Sequence, residues 1–302
     1  MGDVQKIISR RKRQDFLFNI LGIICTLIGI VTLCALLGDL IIDGITRVDW
    51  DFMTSFPSRF AERAGILSSW VGTLLIMLVT ASTAVPLGVA AGVYLEEYAR
   101  RNWITNIIEI NIANLAGVPS IIYGLMALGL LVYQFHLGQS ILAGGLTLAF
   151  LILPIVIVAT REALRTIPQS IREAAYALGS TKWQVVRHHL LPYSTGGIMT
   201  GIIIALSRAV GETAPLITIG ALTFIAFLPP LPVQSEAPFV SLEWLNSPFS
   251  VLPIQMFNWV SRPEREFLTN AAGAGIVLIV VTLSMNALAI LLRYRMRKNI
   301  KW

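Results

Sequence analysis

Arg208 and Glu212 fall inside a long apolar run, in Ser207-Arg-Ala-Val-Gly-Glu-Thr-Ala-Pro215. Arg208 lies roughly 18 Å along a helix from the near end of that run. That depth is near or just past the middle of a hydrocarbon core about 30 Å thick. A charge held there costs about 2.5–3.5 kcal/mol on insertion scales. The i,i+4 spacing puts both residues on one helix face, where each can neutralise the other. A purely structural ion pair would meet that need, although a buried pair rarely outperforms apolar packing. The alternative is an anion site. A planar guanidinium can donate two parallel hydrogen bonds to a tetrahedral oxyanion, with Glu212 orienting it and keeping binding reversible. Ser207 and Thr213 add hydroxyls beside the pair, and Ser82, Thr83 and Thr200 are further pathway candidates. Gly211 and Pro215 would let the backbone break at this depth and turn amide groups toward a cavity.

A second feature is polar where its surroundings are not. Residues 173–192 run Glu-Ala-Ala-Tyr-Ala-Leu-Gly-Ser-Thr-Lys-Trp-Gln-Val-Val-Arg-His-His-Leu-Leu-Pro. Pro168 suits the first turn of a helix, where its missing N–H costs nothing. Ile171, Ala174, Ala175 and Leu178 follow at the spacing of one apolar face. Gly179 suits the left-handed position that ends a helix, and Thr181 to Gln184 has capping-box spacing for a second one. Pro192 is expected to stop that second helix before the next span. The residues alone fit two readings equally. One is a handle gripped by another protein at the small-residue corner of Ala175 and Gly179. The other is an amphipathic helix on lipid headgroups, which Arg165, Arg172, Lys182 and Arg187 would favour.

The elements that must position these residues are membrane spans. The 302-residue chain is 55% hydrophobic and only 13% charged, about half the charge of an ordinary soluble protein. Its mean hydropathy is +0.73. Apolar runs predict six transmembrane helices, near 16–42, 68–94, 116–135, 140–161, 196–228 and 270–293. The third is short and follows a surface helix at 102–114. The fifth is overlong and expected to end irregularly near Pro229 and Pro230. With both termini inside, 17 Lys and Arg lie on the inner side against 5 outside, which orients the chain and makes the 173–192 segment cytoplasmic. The pairs Gly88/Gly92 and Gly197/Gly201, with Gly124, Gly129, Gly273 and Gly275, offer close helix approach.

Several functions are excluded or disfavoured. No G-x-x-x-x-G-K-[ST] occurs, so the chain carries no recognisable ATP site. His136, His188 and His189 have no metal-ligand spacing. Cys25 and Cys34 share the first run, about 13 Å apart along a helix, too far for a mutual disulfide. The basic N-terminus superficially resembles a signal peptide, but the run after it exceeds an h-region. Ser120 lacks a visible base partner, so no catalytic set emerges. Glu96 and Glu97, adjacent and on different helix faces, read as solvated interfacial residues, and Asp39 also reads as interfacial. Trp244, Phe249 and Trp259 are expected to lie against the membrane surface.

Two motifs resemble a known family. Glu173-Ala174-Ala175, then Gly179, then Leu191-Pro192 is similar to the EAA loop of ATP-binding-cassette importer permeases, with His189 where an aliphatic residue is usual. The Arg208–Leu216 stretch resembles the R-A-x-G-E-T signature of phosphate importer permeases, in the form of the PstA-type subunit. Gly117-Val-Pro-Ser-Ile-Ile-Tyr-Gly124 and the end from Pro253 to Arg293 fit the same family. The resemblance covers about residues 65–298. It implies an all-α integral membrane protein with a type I importer fold and a cytoplasmic coupling helix. The expected division is 1–65 (tail, first span and outer loop), 66–295 (transmembrane domain, coupling loop about 165–192) and 296–302 (cytoplasmic tail). It implies a bacterial plasma-membrane location and partners: a PstC-type permease, a PstB-type ATPase dimer holding ATP and Mg, and a PstS-type phosphate-binding protein. No cofactor is expected in this chain. A permease for sulfate or molybdate, or a membrane phosphate-signalling scaffold, remain the alternatives.

Overall fold

A chain in lipid has no water to satisfy its backbone and must bond to itself, so apolar runs become helices. The computed structural model describes residues 2–230 and 241–298, and the expected tail residues 299–302 lie outside them. Twelve α-helices follow in order among the described residues: α1 (Gly2–Gly44), α2 (Trp50–Thr54), α3 (Leu67–Val93), α4 (Trp103–Leu115), α5 (Ser120–Ala127), α6 (Ile141–Arg165), α7 (Gln169–Ala177), α8 (Lys182–Val185), α9 (Leu191–Val210), α10 (Ala214–Thr218), α11 (Leu252–Val260) and α12 (Glu266–Lys298). Wider π turns at Tyr94–Tyr98, Leu128–Gln134 and Val186–Leu190 extend α3 and α5 and join α8 to α9.

Five of these helical stretches are long and apolar enough to cross a membrane, and a bent pair makes a sixth. In that pair α4 meets α5 and its π extension at 105°. Residues 120–134 reach only about 22 Å even at full helical rise, so the third segment is short as expected and the preceding helix lies across it.

The fifth span departs from expectation at both ends. Helix is continuous from Lys182 to Val210, so Pro192 does not stop it. Proline sits at the start of α9, directly after the π turn, where its absent N–H removes little. At the other end, helix ceases at Val210 and only α10 interrupts irregular chain as far as residue 230. Pro215 in the first turn of α10 and a left-handed Gly220 (φ 91°) set that course. The expected continuous helix over 211–228 is therefore replaced by the short α10 and irregular chain.

α6 stands at the centre: 67% of its most apolar stretch is buried, against none for α1, which meets α12 where Gly44 approaches Ala272 and Gly273 and where Leu40 approaches Gly275. Close approach of α3 to α6 depends on glycine, since a Cβ on Gly92 would fall 2.7 Å from Thr160 Cβ. Gly197 and Gly201 play the same part for α9 against Ala163 and Ala159, whereas Gly129 meets nothing.

At the end opposite α7, residues 241–260 fold back into the bundle. Trp244, Phe249 and Trp259 are buried (6%, 2% and 0% exposed), so the membrane-lying reading of these aromatics is overturned. Trp259 packs between Phe52 and Phe267 at centroid distances of 6.0 and 6.3 Å. Arg47 staples this end, donating to Asn270 Oδ1 at 2.8 Å and to the carbonyls of Glu62 and Ala64 at 2.9 and 3.0 Å.

Candidate functional site

Arg208 occupies the last turn of α9, where a cation also complements the helix dipole. The Gly211 and Glu212 amides close the turn onto the carbonyls of Arg208 and Ala209 at 3.3 and 3.2 Å. The chain then leaves the helix, and Glu212 returns its carboxylate to Arg208 Nε at 3.3 Å. The pair expected from i,i+4 spacing is present, but it forms across a helix end rather than along a helix face. The Arg208 side chain is 42% exposed and Glu212 19%. Among the described residues neither terminal nitrogen of Arg208 has a hydrogen-bond partner. A guanidinium this open is costly to hold against hydrocarbon, so a polar cavity or a partner protein suits the surface it faces.

α5 fixes the break. Gly124 lies so close to Pro215 and Thr218 that any side chain there would collide with α10. Tyr123 next to it is buried and donates to the Leu115 carbonyl at 2.8 Å, tying the α4–α5 bend. The Gly117–Gly124 stretch thus supports the loop that carries Glu212 and Thr213. Ser207 faces α12, with its hydroxyl 2.7 Å from Asn286 Oδ1 and 2.7 Å from the Ile203 carbonyl. It is a packing contact between α9 and α12, and Asn286 is a polar partner that sequence reading missed. The Thr200 and Ser82 hydroxyls bond back to their own helices, at 2.8 and 3.0 Å.

The second site lies at the other end of α9, where α7 and α8 form a helical hairpin. Gly179 has φ 82° and closes α7 in the expected left-handed conformation. Thr181 and Gln184 form the capping box of α8. The predicted apolar face of α7 divides: Ile171 and Ala175 turn toward the bundle, while Ala174 and Leu178 point outward, Leu178 being 88% exposed. Glu173, Ala174, Leu178 and Gly179 therefore share an exposed corner, as a docking surface requires. Leu191 and Pro192, half-buried at the base of α9, are separate from it.

Glu96 and Glu97 are ion-paired and largely withdrawn from solvent rather than freely solvated. Their side chains are 14% and 9% exposed and pair with Arg161 and Arg165, and with Arg172, respectively. Adjacency gave no warning, because the π turn at the end of α3 redirects both toward α6 and α7. Arg161, itself buried, also meets Glu109 of α4 at 2.6 Å.

These features define a multi-span transport component: a broken helix carrying an open cation, and a polar hairpin projecting from one end. The comparisons agree. Residues 84–301 match the family model of the binding-protein-dependent transport system inner membrane component, and the chain belongs to that family, a set of multi-pass membrane proteins. It is 32% identical over 289 residues to the phosphate transport system permease protein PstA of Yersinia pestis, covering 93% of this chain and 92% of that one. It is 34% identical to the PstA of Haemophilus influenzae, covering 90% of each. The probable ABC transporter permease protein YqgI of Bacillus subtilis is 31% identical over 92% of this chain and 95% of its own length. Among solved structures, a bacterial ABC transporter that imports the acidic polysaccharide alginate superposes at TM-score 0.62, with 14% identity, over 96% of this chain and 99% of that one. The MetNI methionine ABC transporter in an inward-facing form gives 0.55, with 18% identity, over 77% and 94%. The fold is that of type I ABC importer permeases.

Proposed function

We propose that this chain is the permease subunit of an ATP-driven inorganic phosphate importer, forming half of the translocation pathway beside a PstC-type permease. Its termini and the α7–α8 hairpin face the cytoplasm, as the basic-residue bias favours. A PstS-type protein delivers phosphate at the outer face, and a PstB-type ATPase dimer, holding ATP and Mg, drives the hairpin. Glu173, Ala174 and Gly179 form the contact with that ATPase, while Ala175, buried against the bundle, backs the corner, and Leu191 and Pro192 stand apart at the base of α9. The observation that carries the reading is Arg208, poised at a helix break with its terminal nitrogens uncommitted, in a chain whose relatives are named phosphate permeases. A bidentate guanidinium matches two oxygens of a tetrahedral oxyanion. Glu212 already shares its Nε, so the anion meets a partly neutralised cation and leaves again. Weak residence suits a pathway that must release its cargo every cycle.

Uptake into vesicles holding the assembled complex tests this. Phosphate uptake should be unaffected by excess sulfate or molybdate and should vanish in Arg208→Ala while the complex still assembles. Sulfate uptake that excess phosphate leaves untouched would assign the chain to another oxyanion, and normal uptake by Arg208→Ala would favour the scaffold reading.

A further inference from the structure

The handle end of the bundle holds the densest ionic network among the described residues, and translocation chemistry makes no use of it. Arg172, in the first turns of α7, meets Glu97 Oε1 with Nη2 at 2.7 Å and with Nε at 3.2 Å. The same guanidinium donates to the carbonyls of Ile167 and Leu164 at 2.8 and 3.1 Å, closing the C-terminus of α6. One side chain of the hairpin therefore holds the ends of two membrane helices. The second arm of the hairpin joins in: Lys182 Nζ donates to the Glu97 carbonyl at 3.1 Å and stands 5.7 Å from the Tyr98 ring. Glu96 next door ties the same turn to Arg161 and Arg165 of α6 at 3.4 and 3.0 Å. The Tyr94–Tyr98 turn is thus gripped by α6, α7 and α8 at once.

Stability alone is a poor reason for this arrangement. Arg172 and Glu97 are 11% and 9% exposed, and buried pairs seldom outdo apolar packing of equal volume. What a forked, doubly bonded pair supplies is direction: it resists sliding and rotation that oily side chains permit. The need for direction is visible in the connectivity. α8 runs through a π turn into α9, so any displacement of the hairpin reaches Arg208 along continuous helix. α3 has no such covalent link to the hairpin, and α6 reaches it through a short turn at Thr166–Pro168.

We infer that Glu97 and Arg172 are positioning residues of the transport cycle: they fasten α3 and α6 to the hairpin so that both move with α9 when the ATPase pushes. The inference rests on reading the hairpin as the ATPase contact.

Two measurements test it in the assembled complex. In the first, phosphate uptake and ATP hydrolysis are recorded on the same vesicles for Glu97→Gln and Arg172→Gln. ATPase should co-purify at wild-type stoichiometry and hydrolysis stay within about twofold, while phosphate moved per ATP falls at least tenfold. The double variant should be no worse than the more damaging single one, because the two residues act as a unit. Uptake and hydrolysis falling in proportion would mark a merely structural pair and overturn the inference, as would an unchanged ratio in both singles. Glu97→Gln leaves Arg172 its two carbonyl bonds, so it carries the test if Arg172→Gln fails to assemble. The second measurement needs no transported substrate. Spin labels at Gln169→Cys and Leu87→Cys, with Cys25 and Cys34 replaced by alanine, report the distance from α7 to α3. That distance should stay the same with and without ATP in the otherwise wild-type complex and broaden in Glu97→Gln. A distance that changes with ATP would sink the joint even if phosphate uptake is confirmed. A constant distance in a complex that moves no phosphate would instead count against the phosphate reading alone.

Discussion

A guanidinium on the last turn of a membrane helix needs somewhere to direct five N–H groups. Arg208 gives one to Glu212 and leaves its terminal nitrogens open. In the proposed pathway the fork, rather than the charge, is the part that meets an incoming anion. Arg208→Lys keeps the charge but replaces the planar fork with a single ammonium. Phosphate uptake in vesicles should fall to a small fraction of wild type, at least tenfold, with assembly unchanged. Turnover equal to wild type would rule out bidentate recognition. Ser207 shows a limit at the same scale. Its hydroxyl looked like a pathway group, yet Asn286 is its neighbour, and no spacing along the chain links positions 79 residues apart.

Among the elements, the hairpin and the broken fifth span carry the proposed function. Gly179 ends α7 at φ 82°, with nothing within 4 Å of where its Cβ would stand. Substitution there disturbs this chain only through backbone strain, about 1–2 kcal/mol for an L-residue in the left-handed region. A partner surface approaching the same corner meets the new side chain directly. Gly179→Asp, or Glu173→Lys beside it, should leave the protein in the membrane while the ATPase no longer co-purifies. Retained co-purification would remove the hairpin as the docking surface. Local chemistry made these helices legible: the capping box and the left-handed glycine depend on neighbours within four residues. The run of helix through Pro192 was not legible, because the π turn that accommodates it depends on packing of Val185, Val186 and Leu190 against α3 and α6.

For the whole molecule, orientation and exposure can be read by labelling. Leu178→Cys, in a chain with Cys25 and Cys34 replaced by alanine, should react with a membrane-impermeant maleimide only when the cytoplasmic face is open. Phe60→Cys, 63% exposed at the opposite end, should react from outside. The reverse pattern would invert the topology. In the unmodified chain, Cys25 and Cys34 should stay unlabelled in intact membranes, since both lie on the exposed face of α1 amid apolar residues. The span count, the basic-residue bias, the hairpin and the Arg208–Glu212 pair were all set by the chain's own order, because lipid exclusion and helix capping act on residues near one another. Gly211 and Pro215 already allowed a break after Val210; tertiary structure alone decided that the chain beyond it stays mostly irregular to residue 230, that Trp244, Phe249 and Trp259 are core, and that Glu96 and Glu97 lie in a largely buried ionic joint. Each of those outcomes depends on partners from distant segments, and burial is a property of what packs around a side chain rather than of the side chain itself.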